Sequence, residues 1–355
     1  MKKSSILKSP FWKRQWLAAF LAFALAASAH AEGREGWICG PDGCFAAIAE
    51  TQYNGFDAWR LCDGKTEAIV VPAIGRVMSF KTESGKNWLW NATYAKGKTP
   101  DYGGWNNWGG DKTWLSPQAD WKKLGSEKGW PPPKEWEQSP FQSEVVSGGK
   151  LKIWGPVSLV TGLRISRVFY HNDKGEFVIE QTVSQTKGEK LEAGIWSISQ
   201  IDGSNVDAVF LPKSEISDYE LGFHQMDKAA RAQPESVLPT LLRITPTLNG
   251  AYKIGTDAPR AAIAAVRDGE VFVQRATRPE GKYPDGQEGK SGTSVQLFGQ
   301  GMAKLNYLEL ELLSPIFQFK PGARWTHTVR WSLHSLPGAE VNDAATHAAI
   351  NKWLD

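Results

Sequence analysis

The chain is poor in the residues that usually carry metal or redox chemistry. It has three cysteines, four methionines and six histidines in 355 residues. Cys39, Cys44 and Cys62 all fall near the start, and no second Cys or His pair stands beside them, which argues against a zinc site. There is no His-x-x-x-His, no glycine loop of the kind that cradles phosphate, and no clustered ligand set, so neither a metal nor a cofactor is expected. A clustered basic stripe is missing too, and nucleic acid is not an expected partner. Signals for helices are sparse. Its apolar run is short of the about 20 residues that cross a bilayer.

That run, Leu17 to Ala27, follows Lys2, Lys3, Lys8, Lys13 and Arg14 and precedes Ala29-His30-Ala31, a small-x-small site. Residues 1–31 therefore read as a secretory signal cleaved near Ala31. The mature protein is expected in the periplasm or outside the cell, with no membrane span after cleavage. The signal holds five of the 41 Lys+Arg and no acid, leaving 36 against 38 Asp+Glu, a net charge near −2. The basic balance of the whole chain thus belongs largely to its leader. Export permits a disulfide. Cys39 and Cys44 flank Gly-Pro-Asp-Gly, a turn sequence that can bring them together. Cys44–Cys62 is the next pairing considered, and either leaves one thiol over.

Tryptophan, by contrast, is abundant and clustered. Trp88, Trp90, Trp105, Trp108, Trp114, Trp121, Trp130 and Trp136 place 8 of the 17 tryptophans within 49 residues. Glycine and proline break this segment too often for one regular element. Its centre, Asp101 to Gln118, sets indoles beside amides, a carboxylate and an ammonium. A sugar suits such a surface, since its C–H faces stack and its hydroxyls hydrogen-bond. The competing reading packs several of these rings into a core. Gly109–Gln118 is the part expected to meet a ligand, with Trp88 and Trp90 packing inside.

From about residue 55 the pattern is mostly strand. Glu67–Phe80 is β-branched and apolar with a glycine bend, and 151–154, 164–170 and 176–183 alternate with period two. Asn172-Asp-Lys-Gly175 predicts a hairpin turn between the last two. Later strands are predicted at 261–266, 271–275, 293–298, 307–313 and 325–333. Glu235–Leu242 suggests a short helical turn, and 343–354 a terminal helix capped by Asn342 or Asp343. The expected organisation is a signal at 1–31, an N-terminal segment with a disulfide at 32–54, one β-rich domain at 55–335 with long loops at 93–145 and 212–240, and a C-terminal helical segment at 336–355.

Several segments together resemble the galactose mutarotase-like superfamily, which includes aldose 1-epimerases. Val70–Phe80 resembles its opening strand pair and Asn87-Trp-Leu-Trp-Asn91 the element that follows. Gly109-Gly110-Asp-Lys-Thr-Trp-Leu-Ser-Pro-Gln118 sits where related epimerases carry a Gly-Gly substrate loop. Tyr307–Pro315, Lys320-Pro-Gly322 and Val329–Ser332 resemble its glutamate strand and final strands. The similarity spans roughly 55–335, nearest to an uncharacterised bacterial branch. It implies a mostly β fold, an antiparallel supersandwich with a short C-terminal helix, and a concave face that takes carbohydrate.

The resemblance also implies a glutamate base and a histidine acid. Glu309 and Glu311 lie two apart on a strand, so both face one side, with Leu308, Leu310 and Leu312 on the other. Two such carboxylates can split their pKa values and supply an acid and a base, or can simply line a solvated face. Glu311 fits the superfamily position better. The segment corresponding to the histidine, Glu192–Gln200, offers Trp196 and Gln200 instead. His224, on a midchain loop, can stand in for the acid or be merely exposed. Asp111 and Lys112 can bind hydroxyls or exchange protons, or form a surface ion pair of little value. Arg164 and Arg167, three apart, point to opposite faces, so at most one meets the cavity. Asp285 can reach a ligand from a turn. The expected substrate-binding set is Trp105, Trp108, Asp111, Lys112, Trp114, Gln118, Arg164, Trp196 and Gln200. The function expected is an exported carbohydrate-binding or carbohydrate-active protein, of epimerase type if a glutamate base operates. The alternative is a non-catalytic cell-envelope protein that offers the tryptophan loop to a protein partner.

Overall fold

The computed structural model describes residues 37–40, 43–92, 106–228, 230–302, 305–336 and 340–355. The expected signal at 1–31 and Trp105 lie outside the described residues. The chain divides into two compact units, one ending at Ala47 and one spanning Ile48–Asp355. In the first, Trp37–Gly40 pairs antiparallel with Gly43–Ala46, and the register sets Cys39 opposite Cys44. Cys62, in the second unit, is a buried free thiol.

The second unit holds two antiparallel sheets of ten and eleven strands among the described residues. Their inner faces share one core. Phe80, from the strand Arg76–Thr82 of the larger sheet, packs against Phe177, Phe272 and Trp331 of the smaller one, with ring centroids 5.1–5.6 Å apart. Trp88 is fully buried on Phe272, as expected, while Trp90 is half-buried against Tyr307. Period-two segments become strands where one face meets this core. Leu163–His171 turns at Asn172–Gly175 into Phe177–Gln185, its inward positions Leu163, Ile165, Arg167 and Phe169 all buried. The terminal helix Ala344–Trp353 is capped by the Asp343 carboxylate, which accepts from the Ala345 N–H. It lays Ile350 on Ala208, Phe210 and Val273 in a second apolar cluster.

Four features differ from expectation. Glu235–Leu242 is no helical turn: Glu235–Leu238 and Leu241–Ile244 pair as a hairpin bent at Pro239. The region 212–240 also contributes the strand His224–Lys228 to the larger sheet, and the first strand of the unit starts at Ile48, ahead of 55. Most consequential is Asp111–Ser116, which lies inside the segment expected to be a loop. It is a strand lodged between Arg76–Thr82 and Leu191–Asp202, with all six residues buried. Burial on both faces removes the alternation that marks a strand. Gly109 and Gly110 bring it in at φ +86° and +71°; a Cβ there would stand 2.1 Å from the Trp90 carbonyl oxygen and 2.3 Å from that of Val77.

Candidate functional site

Directly opposed residues of an antiparallel ladder share a face. Across the larger sheet, Trp114 opposes Trp196, Lys112 opposes Ile198 and Ile198 opposes Glu311. Gln200 opposes Glu309, which opposes Phe298, which opposes Lys253 of the strand Tyr252–Thr256. Of these, Lys112, Trp114, Trp196, Gln200, Lys253, Phe298 and Glu309 floor a cavity of about 460 Å³, walled by Trp130, Gln118, Asn107, Met226, Gln300 and Tyr307.

Two lysine–glutamate pairs cross the floor. Lys112 Nζ lies 3.3 Å from Glu309 Oε1 and 4.1 Å above the Trp114 ring. Gln200 Nε2 donates to the same carboxylate oxygen at 2.8 Å. Burial lowers the Lys112 ammonium's hold on its proton, and Glu309 opposes that shift. In the second pair Lys253 Nζ lies 2.9 Å from Glu311 Oε2 and 4.5 Å from the centre of the Trp196 ring. Trp196 Nε1 donates to the same oxygen at 2.9 Å. Burial raises the Glu311 carboxyl to about 7 against the pull of Lys253, and the neighbouring Glu309 adds to the rise. The two glutamates therefore share a face but differ in access. Glu309 lines the cavity, whereas Glu311 is sealed behind Trp196 and Lys253.

An aromatic wall stands beside this floor. Trp114 meets Trp121, Trp196 and Trp130 edge to face at 5.1, 5.7 and 6.1 Å, and Trp130 stacks on Trp121 at 5.8 Å. Two of the wall's buried indole N–H groups find strong acceptors. Trp121 Nε1 donates to the Leu115 carbonyl at 2.7 Å, and Trp114 Nε1 to Glu137 Oε2 at 2.8 Å. Glu137 sits on the short helix Lys134–Glu137 and also holds the buried Arg76 guanidinium.

The expected residues divide sharply. Glu309, Lys112, Trp114, Gln118, Trp196 and Gln200 converge on the cavity. Asp111 does not. As the neighbour of Lys112 on a strand it must face the other way. Its carboxylate is ion-paired with Arg167 and accepts from Ser199 Oγ at 2.8 Å inside the intersheet core. Nor do Asp111 and Lys112 form a surface ion pair, since both are buried and each has its own partner. Arg164 belongs to the other sheet, and because Leu163 and Ile165 point inward it faces that sheet's outer side. Trp108 packs edge-on against Phe56 in a separate apolar cluster and does not line the cavity.

His224 lies three strands from Glu309, about 14 Å at the backbone by strand spacing. It stacks on Tyr219 and its Nδ1 lies 3.0 Å from the Asp285 carbonyl oxygen. With Asp285 it borders a second, more open lobe of about 810 Å³ that adjoins the first. Lys253, Trp130 and Tyr307 line the inner cavity without having been singled out as ligand contacts. The alternation Tyr252-Lys-Ile-Gly-Thr256 carried the signal for Lys253. Among the described residues, no group of three His, Cys, Asp or Glu side chains is placed to hold a metal ion.

No protein-family model matches the chain, and no curated protein matches its sequence. Solved structures do. A galactose mutarotase-like protein from Lactobacillus casei ATCC 334 aligns with a TM-score of 0.51 at 9% identity, over 81% of this chain and 100% of that one. One from Clostridium acetobutylicum gives 0.51 at 10% identity, over 81% and 98%. A galactose mutarotase related enzyme from Lactobacillus acidophilus gives 0.51 at 9% identity, over 79% and 98%. At these identities the likeness is one of fold. The chain has the galactose mutarotase-like fold, mostly antiparallel β with a short C-terminal helix, as its sequence resemblance implied.

Proposed function

We propose that this is an exported saccharide-binding protein whose inner cavity performs proton transfer at an anomeric centre. The observation that carries the reading is that Glu309 and Lys112 open together into a cavity walled by Trp114, Trp196 and Trp130. Indole faces suit the C–H side of a pyranose, while Gln200, Lys112 and Glu309 suit its hydroxyls. The sugar-related names of structures sharing this fold agree with that choice.

Mutarotation needs a base for the O1 proton and an acid for the ring oxygen. Both oxygens are bonded to C1, so acid and base must be neighbours. Glu309 Oε1 and Lys112 Nζ are neighbours at 3.3 Å. In the proposed step Glu309 accepts the O1–H proton and C1=O1 forms. The C1–O5 bond breaks and O5 takes a proton from the Lys112 ammonium. Rotation about C1–C2 and the reverse transfers close the opposite anomer and restore both groups. Burial assists, because it weakens the ammonium's hold on the proton it must give up. This assigns the acid to a lysine on the strand Asp111–Ser116, where the superfamily resemblance implied a histidine.

The alternative of a protein-binding tryptophan loop has less to stand on. Trp88, Trp108, Trp114, Trp121 and Trp136 are buried, and Trp130, 44% exposed, borders the cavity. No helix among the described residues is long and apolar enough to cross a membrane. The test pairs tryptophan fluorescence titration with neutral monosaccharides and polarimetry of a fresh α-anomer. Wild-type protein should bind and equilibrate the anomers. Glu309→Gln and Lys112→Met should bind but lose at least about 100-fold in rate. Silence toward every sugar sinks the carbohydrate reading; binding without turnover sinks only the proton-transfer step.

A further inference from the structure

The inner cavity does not end at Trp130. Gln118, Trp130, Trp196, Met226 and Lys253 border both it and the outer lobe of about 810 Å³, so the two are one continuous cleft. Trp130 stands at the junction. It stacks on Trp121 and still leaves 44% of its surface accessible. A single pyranose in the inner cavity leaves the outer lobe empty, and an indole at the boundary is placed to support a second ring.

The outer lobe also differs in charge. Lys122 and Lys128 lie on its wall, both exposed, and neither has a carboxylate within 4.0 Å among the described residues. The nearby acids are already engaged: Asp285 Oδ2 accepts from Gln296 Nε2 at 2.8 Å, and Glu311 is held by Lys253 and Trp196. The His224 ring is held on Tyr219 and against the Asp285 carbonyl. The lobe therefore offers the Trp130 indole and two ammonium groups without a carboxylate partner among the described residues, with the Asp285 carboxylate turned to Gln296.

We propose that the outer lobe is a second saccharide subsite, for a unit bearing an anionic substituent, a carboxylate or a sulfate, linked to the sugar in the inner cavity. This deepens the carbohydrate reading of the inner cavity and rests on it. The ligand is thus at least a disaccharide, with its reducing-end unit over Glu309 and Lys112 and its charged unit between Trp130 and the Lys122–Lys128 wall. Lysine ammonium groups act as point charges and accept either anion.

The test is a fluorescence titration with four disaccharides of one linkage: neutral digalactose, digalacturonate, its methyl ester, and a sulfated digalactose. Wild-type protein should bind an anionic member about fivefold more tightly than its neutral counterpart, the yield of two partly exposed charge contacts. The preference should collapse to below about twofold in a Lys122→Gln/Lys128→Gln variant and in high salt. A preference in either anionic arm supports the subsite and names its substituent. Equal affinity for charged and neutral disaccharides, or a preference that survives the double substitution, overturns it while leaving the inner cavity's reading intact. Failure of all four and of monosaccharides overturns both.

Discussion

Asp111 is the residue whose role changed most between sequence and structure, and replacing it separates a structural role from a ligand-binding one. Its carboxylate is fully buried and ion-paired with Arg167, itself 1% exposed. Arg167 Nη1 also donates to the Gly75 carbonyl at 3.2 Å and the Asp111 carbonyl at 3.1 Å. Asp111→Asn keeps the volume and the Ser199 contact but removes the counter-charge. A guanidinium does not shed its proton, so the variant carries an unpaired buried cation. Breaking such a pair costs about 3–5 kcal/mol. That is a large part of the about 5–15 kcal/mol by which folded proteins are stable, and in a unit of this size it should lower the thermal midpoint by about 5–8 °C. Adding Arg167→Met should recover most of the loss, because an apolar pair replaces an uncompensated charge. Sugar affinity, measured well below the lowered midpoint, should be unchanged, since Asp111 faces away from the cavity. Differential scanning calorimetry and fluorescence titration read the two quantities separately. An unshifted midpoint with lost sugar binding would refute the assignment and return Asp111 to the ligand.

Other consequences are equally measurable. Trp130→Ala should weaken saccharide binding about two- to tenfold, with little loss of stability for a partly exposed ring, by titration and calorimetry. Glu311 holds its proton more tightly folded than unfolded, so its contribution to stability is complete below the ordinary carboxylate range. That contribution is lost as pH rises through about 7; the difference between wild type and Glu311→Gln in denaturant titrations should therefore change by on the order of 3 kcal/mol between pH 4 and 8. His327 runs the other way. Burial lowers it to about 4, so its contribution is complete above about 6.5 and lost as pH falls through 4, and His327→Gln should flatten that acid limb. If Cys39 and Cys44 are joined, the denatured, unreduced protein should show one reactive thiol, Cys62, and the reduced protein three, by mass after alkylation.

The parts of the fold legible in sequence are those with one wet face. Tyr307–Leu313 alternates leucine with glutamate because the leucines meet the core and the glutamates the cleft side. The helix after Asp343 was legible from its cap. Asp111–Ser116 was not, since both faces are covered and the flanking Gly-Gly and Pro mimic a loop. Its misreading carried Asp111 into the expected site beside Lys112, although adjacent strand residues cannot share a face. Glu235–Leu242 misled for a different reason: its apolar spacing suits either period, and Pro239 marks a turn and not a helix start. Glu309 and Glu311 were correctly placed together, but which one opens to the cavity depends on Lys253, contributed by a strand more than fifty residues away in sequence.

The aromatic wall and the reactive floor come from the chain in different ways. The floor draws Lys112, Trp196, Gln200, Glu309 and Lys253 from four separate strands. Trp121, Trp130 and Trp136 come from one uninterrupted excursion between the strands Asp111–Ser116 and Gln142–Val146, tied back to the sheet through Glu137 on Arg76 and Trp114. Such an excursion behaves as an exchangeable cassette. Its length and ring placement can drift or be grafted from one homologue to another while the acid–base pair stays where the sheet holds it. Ligand preference in proteins built on this plan can therefore diversify without re-inventing the chemistry.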